Sequence, residues 1–256
     1  IAESNLNTIY CGTETGFINK STDNGLNWNL LAQVYNFGGA ITAIAIDPLN
    51  EDIAYAAGGM QIHKTVDGGK IWTPMLSLGN QFYADKITID LTNPSKIFAA
   101  GSSGVYMSSD AGNTWTNVSN QSSFDVHIKP TSADTVYAIT SVGGNFNVIM
   151  SIDGGQTFNN DQNFPAQIQE VSGGLLAVTP AAPDNLYAIL LSTNNTPLIY
   201  RGNMATATWE LLATGQTNEL PLNNGQGFFD LILEISPLDA NLIFAGTTTL
   251  YKSTNG

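Results

Sequence analysis

The chain has 256 residues, 43% of them hydrophobic and 25 of them glycine, enough to bury a substantial core as one repeat array or one large β domain. Its formal net charge is −13, from 21 acidic residues against 8 Lys plus Arg, which repels polyanions and argues against nucleic acid or an anionic membrane surface as a partner. No apolar run approaches the roughly 20 residues that span a bilayer, and charged residues are only 11% of the chain, so Asn, Gln, Ser and Thr must cover the surface, as in many secreted proteins.

Three short apolar runs recur in a fixed order, cutting the chain into six units at about 1–39, 40–82, 83–121, 122–167, 168–225 and 226–256. The first unit has TIYCGT with Tyr10, then GFINKS, then the polar turn STDNGLNW. Its Cys11 reads as a small buried thiol, and a single cysteine allows no intrachain disulfide. The second unit runs ITAIAI, the turn DPLNED, IAYAAG with Tyr55, MQIHKT and TVDGGKIW. The third repeats this as DKITI, LTNPSK, KIFAAG with Phe98, GVYMSS and SSDAGNTW, and the fourth as DVHIK, KPTSAD, TVYAIT with Tyr137, NVIMS and SIDGGQTF. The fifth has GLLAVT, TPAAPDN, LYAILL with Tyr187, PLIYR and the degenerate RGNMATATW. The sixth has DLILEI, SPLDAN, LIFAGT with Phe244, TLYKS and STNG.

Pro, Asn and Asp end one strand and restart the next, and no helical periodicity appears anywhere. Each unit therefore reads as four short antiparallel strands. A sheet of that size cannot bury both faces alone, but packed radially beside others it can, which predicts an all-β fold, a single β-propeller domain of four-stranded blades. The first unit starts at its second strand and the sixth stops within its third hairpin, so the polypeptide is expected to extend past Gly256 and before Ile1 as part of a larger protein.

The repeated turn has the pattern Ser/Thr-x-Asp-x-Gly-x-x-Trp/Phe, with Asp at 23, 67, 110 and 153, spacings of 44, 43 and 43. Its copies are Ser21, Asp23, Gly25 and Trp28; Thr65, Asp67, Gly69 and Trp72; Ser108, Asp110, Gly112 and Trp115; and Ser151, Asp153, Gly155 and Phe158. Ser and Asp oxygens accept hydrogen bonds from a tight hairpin, Gly takes the positive φ, and the aromatic folds back between sheets. In the fifth copy Asn203 stands in the Asp place, Ala205 in the Gly place, and one extra residue precedes Trp209.

These residues resemble the Asp-box, or bacterial neuraminidase, repeat of sialidase-like propellers, xyloglucanase-type glycoside hydrolases, sortilin-type receptors and photosystem assembly factors. The resemblance implies that the box is structural, lying at the hairpin between the third and fourth strands of each blade, away from the usual binding face. It also tests each relative's chemistry. Sialidases hold a carboxylate with three arginines, and this chain has only Arg201. Xyloglucanase-type enzymes use paired carboxylates, one within a Tyr-x-Arg-Thr-Asp pattern; Tyr10-Cys11-Gly12-Thr13-Glu14 places Glu14 there without the Arg, the one weak catalytic candidate. The basic patch of the photosystem factors and the cysteine-rich module of the sortilin-type receptors are missing.

Loops joining the second strand to the third, and the fourth to the next unit, are expected to carry any ligand. They hold Tyr35, Phe37, Phe82, Tyr83, Phe164, Phe228 and Phe229 among many amides, a combination that suits sugar rings; the plain alternative is that the rings pack beneath their own loops. Asp85, Asp125 and Asp230, near the starts of first strands, are weak candidates for a Ca²⁺ site, and no other cofactor is expected. His63 and His127 fit no metal spacing. Asn117, Asn120 and Asn194 begin glycosylation sequons of the kind chance supplies in so polar a chain. The function expected is a non-catalytic propeller interaction module of a secreted or cell-surface bacterial protein, binding protein or neutral glycan. The alternatives are a fragment of a xyloglucanase-like glycoside hydrolase and a spacer repeat in a surface adhesin or filament.

Overall fold

The structure, a computed structural model, describes residues 1–31, 35–77, 82–165, 171–192, 197–214 and 231–256. Phe228, Phe229, Asp230 and Asn194 lie outside the described residues. The chain divides into two compact units, Ile1–Val126 and His127–Gly256.

Strands follow one another as antiparallel meanders, six sheets in chain order, each built only from sequence neighbours. Sheet 1 is β1 (Ile9–Gly12), β2 (Ile18–Ser21) and β3 (Asn29–Leu31). Sheet 2 is β4 (Ile41–Ile46), β5 (Ala54–Gly58), β6 (Gln61–Thr65) and β7 (Thr73–Ser77). Sheet 3 is β8 (Ala84–Ile89), β9 (Ile97–Gly101), β10 (Gly104–Ser108) and β11 (Thr116–Ser119). Sheet 4 is β12 (Ser123–Lys129), β13 (Ser132–Val142), β14 (Asn145–Ser151) and β15 (Asn159–Asn160). Sheet 5 is β16 (Val171–Val178), β17 (Asn185–Ser192), β18 (Pro197–Asn203) and β19 (Thr208–Thr214). Sheet 6 is β20 (Ile232–Ile235), β21 (Ile243–Gly246) and β22 (Leu250–Ser253).

The second strand of each full sheet shows why the fold needs stacked sheets. All five residues of β5 and of β9 are buried, so both faces are covered. Period-2 alternation sends Ala54 and Ala56 to a cluster with Tyr10, Ile18 and Trp72, and sends Tyr55 and Ala57 to one with Ile87, Ile97 and Ala99. Sheet 2 is thus packed between sheets 1 and 3. In the second unit Tyr187, Ile189 and Ile199 pack against Leu233, Ile235 and Ile243 in the same way.

The fixed aromatic of the second strand is also a pin to the next sheet. The Tyr10 hydroxyl donates to the Glu51 carbonyl at 2.9 Å, Tyr55 to Ala111 at 3.0 Å and Tyr187 to Ala240 at 3.3 Å. A lysine from the third strand crosses above the ring and joins the clasp. Lys20 Nζ lies 4.9 Å from the Tyr10 ring and donates to the Gly68 carbonyl, and Lys64 Nζ lies 5.3 Å from the Tyr55 ring and donates to the Ala111 carbonyl at 2.9 Å.

The box hairpins occupy the turns between third and fourth strands. In the second copy the Thr65 hydroxyl donates to Asp67 Oδ1 at 2.9 Å and accepts from the Gly69 N–H at 2.9 Å, while Ile71 N–H donates to Asp67 Oδ1 at 2.9 Å. Gly69 takes φ +90°, which a side chain would strain. The indole N–H of Trp72 then closes on the Gly69 carbonyl at 3.1 Å, as Trp28 does on Gly25 and Trp115 on Gly112. Below this, the N–H following each box Asp donates to a carbonyl at or just ahead of the start of the second strand: Asn24 to Asn7, Gly68 to Asp52, Ala111 to Ser95 and Gly154 to Asp134.

Cys11 departs from its expected burial: it is exposed. It alternates with Tyr10, whose side chain takes the face packed against sheet 2, so the thiol points the other way on the edge strand β1.

Trp72 is 3% exposed among Tyr10, Phe37 and Ala54, whereas Trp28 is 45% exposed. Trp72→Ala is expected to destabilise the chain by roughly 3 to 5 kcal/mol and Trp28→Ala by about 1 kcal/mol, read from urea unfolding. A loss below about 1 kcal/mol for Trp72→Ala contradicts its packed position.

The box carboxylates also predict an acid limb. Donation from Asn27 and then Ser21 holds the Asp23 carboxyl at about 2, below its ordinary 3.8. Donors from Ile71, Thr114 and Thr157 likewise lower Asp67, Asp110 and Asp153. Between those values the unfolded chain binds more protons than the folded one, so this stability is full above pH 4 and lost as pH falls toward 2. Melting temperature measured across that window should drop, and Asp23→Asn should shrink the drop.

Candidate functional site

The loop ahead of sheet 2 and the β5–β6 turn form one groove of about 580 Å³ in the first unit, bounded by Asn36–Ala40, Thr42, Gly58–Gln61 and Tyr83. Two glycine pairs make its floor. A Cβ on Gly59, at φ +60°, would stand 2.9 Å from the Gly38 carbonyl, and one on Gly58 would stand 2.7 Å from the Phe37 side chain. Only bare backbone allows the two loops to meet this closely. Among the described residues no charged side chain lines the groove.

One buried histidine ties both loops together. His63, 1% exposed on β6, is bonded at Nδ1 to the Tyr35 hydroxyl at 2.8 Å and at Nε2 to the Gly58 carbonyl at 3.4 Å. With Nε2 donating to that carbonyl, Nδ1 accepts from Tyr35, the arrangement of a neutral imidazole. Desolvation pushes its pKa below the usual 6.5. Phe37 meets the His63 ring edge-on at 5.0 Å and Trp72 at 5.3 Å.

The aromatic candidates therefore take different places. Phe37 and Phe82 are each 2% exposed and present no face to a ligand; Phe82 packs against Tyr106 at 4.8 Å. Tyr35 is half-buried and spends its hydroxyl on His63. Tyr83 stands at the groove 47% exposed, with its main-chain N–H donating to Ser102 Oγ at 2.9 Å and its carbonyl accepting from Ser102 N–H at 3.0 Å. A doubly tied backbone presents that ring with little left to order on binding. Phe164 lies in the second unit, half-buried against Trp209 at 4.9 Å.

Glu14 sits in the exposed turn between β1 and β2, closed by Gly16 N–H donating to the Thr13 carbonyl at 3.1 Å. Asp125 is 1% exposed, accepts from the Val126 N–H at 2.8 Å and lies 3.7 Å from Lys86 Nζ. Asp85 still meets solvent, yet desolvation and then the Asp125 charge push its carboxyl up to about 6. Among the described residues no three His, Cys, Asp or Glu side chains come together as metal ligands.

Solved structures share this arrangement of sheets. An ancestral GH74 enzyme superposes with a TM-score of 0.78 over 98% of this chain, at 19% identity. The GH74 xyloglucanase from Xanthomonas campestris gives 0.77 over 100% of this chain at 14% identity. The fold is that of the Asp-box β-propellers. YCF48 bound to a D1 peptide also matches, with a TM-score of 0.64 at 15% identity, over 98% of this chain and 76% of that one. This chain spans 35% and 44% of the two GH74 chains, less than half of each. No protein-family model and no curated protein matches the sequence. Among the described residues no helix is long and apolar enough to cross a membrane.

Within this propeller, sequence reading had no means to single out the glycine pairs or His63, whose roles exist only once two distant loops touch. Gly38-Gly39 and Gly58-Gly59 were the available signal: each is a doublet in a connection on the same end of the strands.

Asp85 yields a prediction of opposite sign to the box carboxylates. Its raised pKa means the folded chain holds the extra proton between 3.8 and about 6, so this contribution is present below pH 4 and lost as pH rises through 6. Asp85→Asn is expected to raise the melting temperature at pH 7 and to change it little at pH 4; equal effects at both values contradict the assignment.

Proposed function

We propose that this propeller is a non-catalytic interaction module of a secreted or cell-surface protein, and that it holds an uncharged glycan or polypeptide segment in the groove beside Tyr83. The observation that carries this reading is the groove itself: a preformed cleft with a bare glycine floor, a rigidly mounted, accessible aromatic ring and, among the described residues, no charged side chain. Its volume of about 580 Å³ falls within the roughly 300–1,000 Å³ of small-ligand sites. Asn36, Gln61 and the loop backbone offer donors and acceptors, while Tyr83 and the 37% exposed Met60 offer apolar contact. YCF48, which shares the fold, was solved with a D1 peptide bound, a precedent for a propeller of this type as a binding module.

A second reading is half of a glycoside hydrolase. It is supported by the GH74 likeness, in which this chain spans less than half of each enzyme, and by the accessible position of Glu14.

Calorimetric titration against panels of neutral polysaccharides and unrelated peptides tests the first reading. Tyr83→Ala should weaken whatever binds by at least about tenfold, or 1.4 kcal/mol, without lowering stability. Unchanged affinity in that variant counts against the groove. Release of reducing sugar by the wild-type chain, abolished in Glu14→Gln, favours the enzyme instead.

A further inference from the structure

The box end of sheets 1 and 2 carries aliphatic side chains that its hairpins do not need. Leu6, Leu26, Leu49, Val66 and Ile71 stand there, each between 65% and 82% exposed. Their turns are knit together: Asn24 N–H donates to the Asn7 carbonyl at 3.0 Å, the Ser4 hydroxyl and Asn5 amide donate to the Glu51 carboxylate, and Gly68 N–H donates to the Asp52 carbonyl at 2.9 Å. Exposed aliphatics scattered singly are ordinary; several on one bonded set of turns form a patch.

The other hairpins show which residues the turn accepts at these places. In the hairpin of sheet 3, Ser109 and Thr114 occupy the positions of Val66 and Ile71, and the same box bonds close. Thr114 and Thr157 also donate their hydroxyls, and Asn27 its amide, to the second oxygen of the box Asp at 2.5 to 2.7 Å. Ile71 has no side-chain donor, so Asp67 lacks a bond that its three counterparts have. Its side chain is exposed as well, so packing does not offset the loss. A local preference set aside with no structural return points to a surface used for contact.

Charge around the patch narrows what it contacts. Glu3, Asp23, Asp47, Glu51, Asp52 and Asp67 lie on these turns against Lys20 and Lys70, and Lys20 is engaged by Asp52 and the Gly68 carbonyl. A second copy docking through the same end would set carboxylates against carboxylates, and an anionic membrane would be repelled. A segment with aliphatic residues on one side and Lys or Arg beside them complements both features.

We infer that the box end of sheets 1 and 2 is a docking surface for a basic amphipathic polypeptide segment, held by Leu26, Leu49, Val66, Ile71 and the carboxylates beside them. Leu49 N–H is bonded to Asp47 Oδ1 at 2.8 Å and Ile71 N–H to Asp67 Oδ1 at 2.9 Å. These side chains are thus presented on closed turns, with little backbone left to order on binding. The groove beside Tyr83 lies at the opposite ends of the strands, so the inference stands whether or not that groove binds anything.

The full chain carrying Tyr83→Ala, so that the groove does not contribute, provides the test. A synthetic peptide of leucines and lysines at helical spacing is titrated at low salt and again in about 1 M salt, where the screening length falls to about 3 Å. Two counterparts separate the contributions, one with serine for every leucine and one with glutamate for every lysine. The expected result is saturable binding that moves the Leu26 and Leu49 methyl resonances. It should weaken at least about tenfold with either counterpart, in high salt, and in the double variant Val66→Ser, Ile71→Thr. That variant carries the residues of the sheet 3 hairpin, so its melting temperature should hold or rise. No saturable binding, equal binding of either counterpart, equal affinity of the variant or a lower melting temperature in it overturns the inference, as does adsorption to phosphatidylcholine vesicles in place of the peptide.

Discussion

The hairpins hang on one main-chain hydrogen bond. In every unit the N–H of the residue after the box Asp position donates to a carbonyl at or just ahead of the start of the second strand, a tie that fastens the third-strand end of the sheet to the start of its second strand. It survives where the side chains have changed: Met204 N–H reaches the Asp184 carbonyl at 2.8 Å, and Gly256 N–H reaches Asn241 at 3.1 Å, although Asn203 and Asn255 stand where Asp stands elsewhere. The Asp, Ser and Gly of the box shape the loop so that this N–H points inward. That is why the turn repeats so faithfully while the strands around it drift, and why an Asn that still accepts from two following N–H groups is tolerated.

From that anchor the neighbouring sheet is fastened in turn. The carbonyl of Ala111, in the box of sheet 3, accepts from both Tyr55 and Lys64 of sheet 2. A hairpin held in place by its own sheet thus presents a fixed acceptor to the sheet before it. Stability is passed between neighbours in the manner of repeat proteins, and the second strand of sheet 2 packs both faces because sheets 1 and 3 lie on either side of it. With cohesion concentrated in the central strands and at the box end, connections at the opposite ends of the strands are free to differ. The glycine-floored groove uses that freedom.

The meander order, the box and the second-strand aromatic were legible because each recurs at a fixed place, and periodicity is what a single sequence displays. The hydroxyl ties between first strands were not. Thr42 bonds the Ala84 carbonyl, Thr88 that of Val126 and Thr179 that of Ser236, but the three threonines fall at the second, fourth and last places of ITAIAI, DKITI and GLLAVT and so leave no repeat signature. Burial of individual loop aromatics was equally out of reach. Tyr35, Phe37, Phe82 and Tyr83 look alike in composition, yet His63 on β6 draws Tyr35 and Phe37 inward, while the bonds to Ser102 leave Tyr83 outside. Cys11 was misplaced for a related reason: an apolar run does not say which of its two faces has a sheet against it.

Charge is distributed in a way that bears on recognition. The acidic excess sits on the box aspartates and on the turns between first and second strands, such as Asp47, Asp52, Asp90, Asp184 and Asp239, where carboxylates accept from nearby N–H groups or pair with a lysine. Among the described residues the groove carries no charged side chain. Electrostatic steering acts through unbalanced charge at a docking surface, and the described part of the groove has none. What such a surface can distinguish is shape, apolar contact and hydrogen-bond pattern, while the net −13 of the chain repels polyanions.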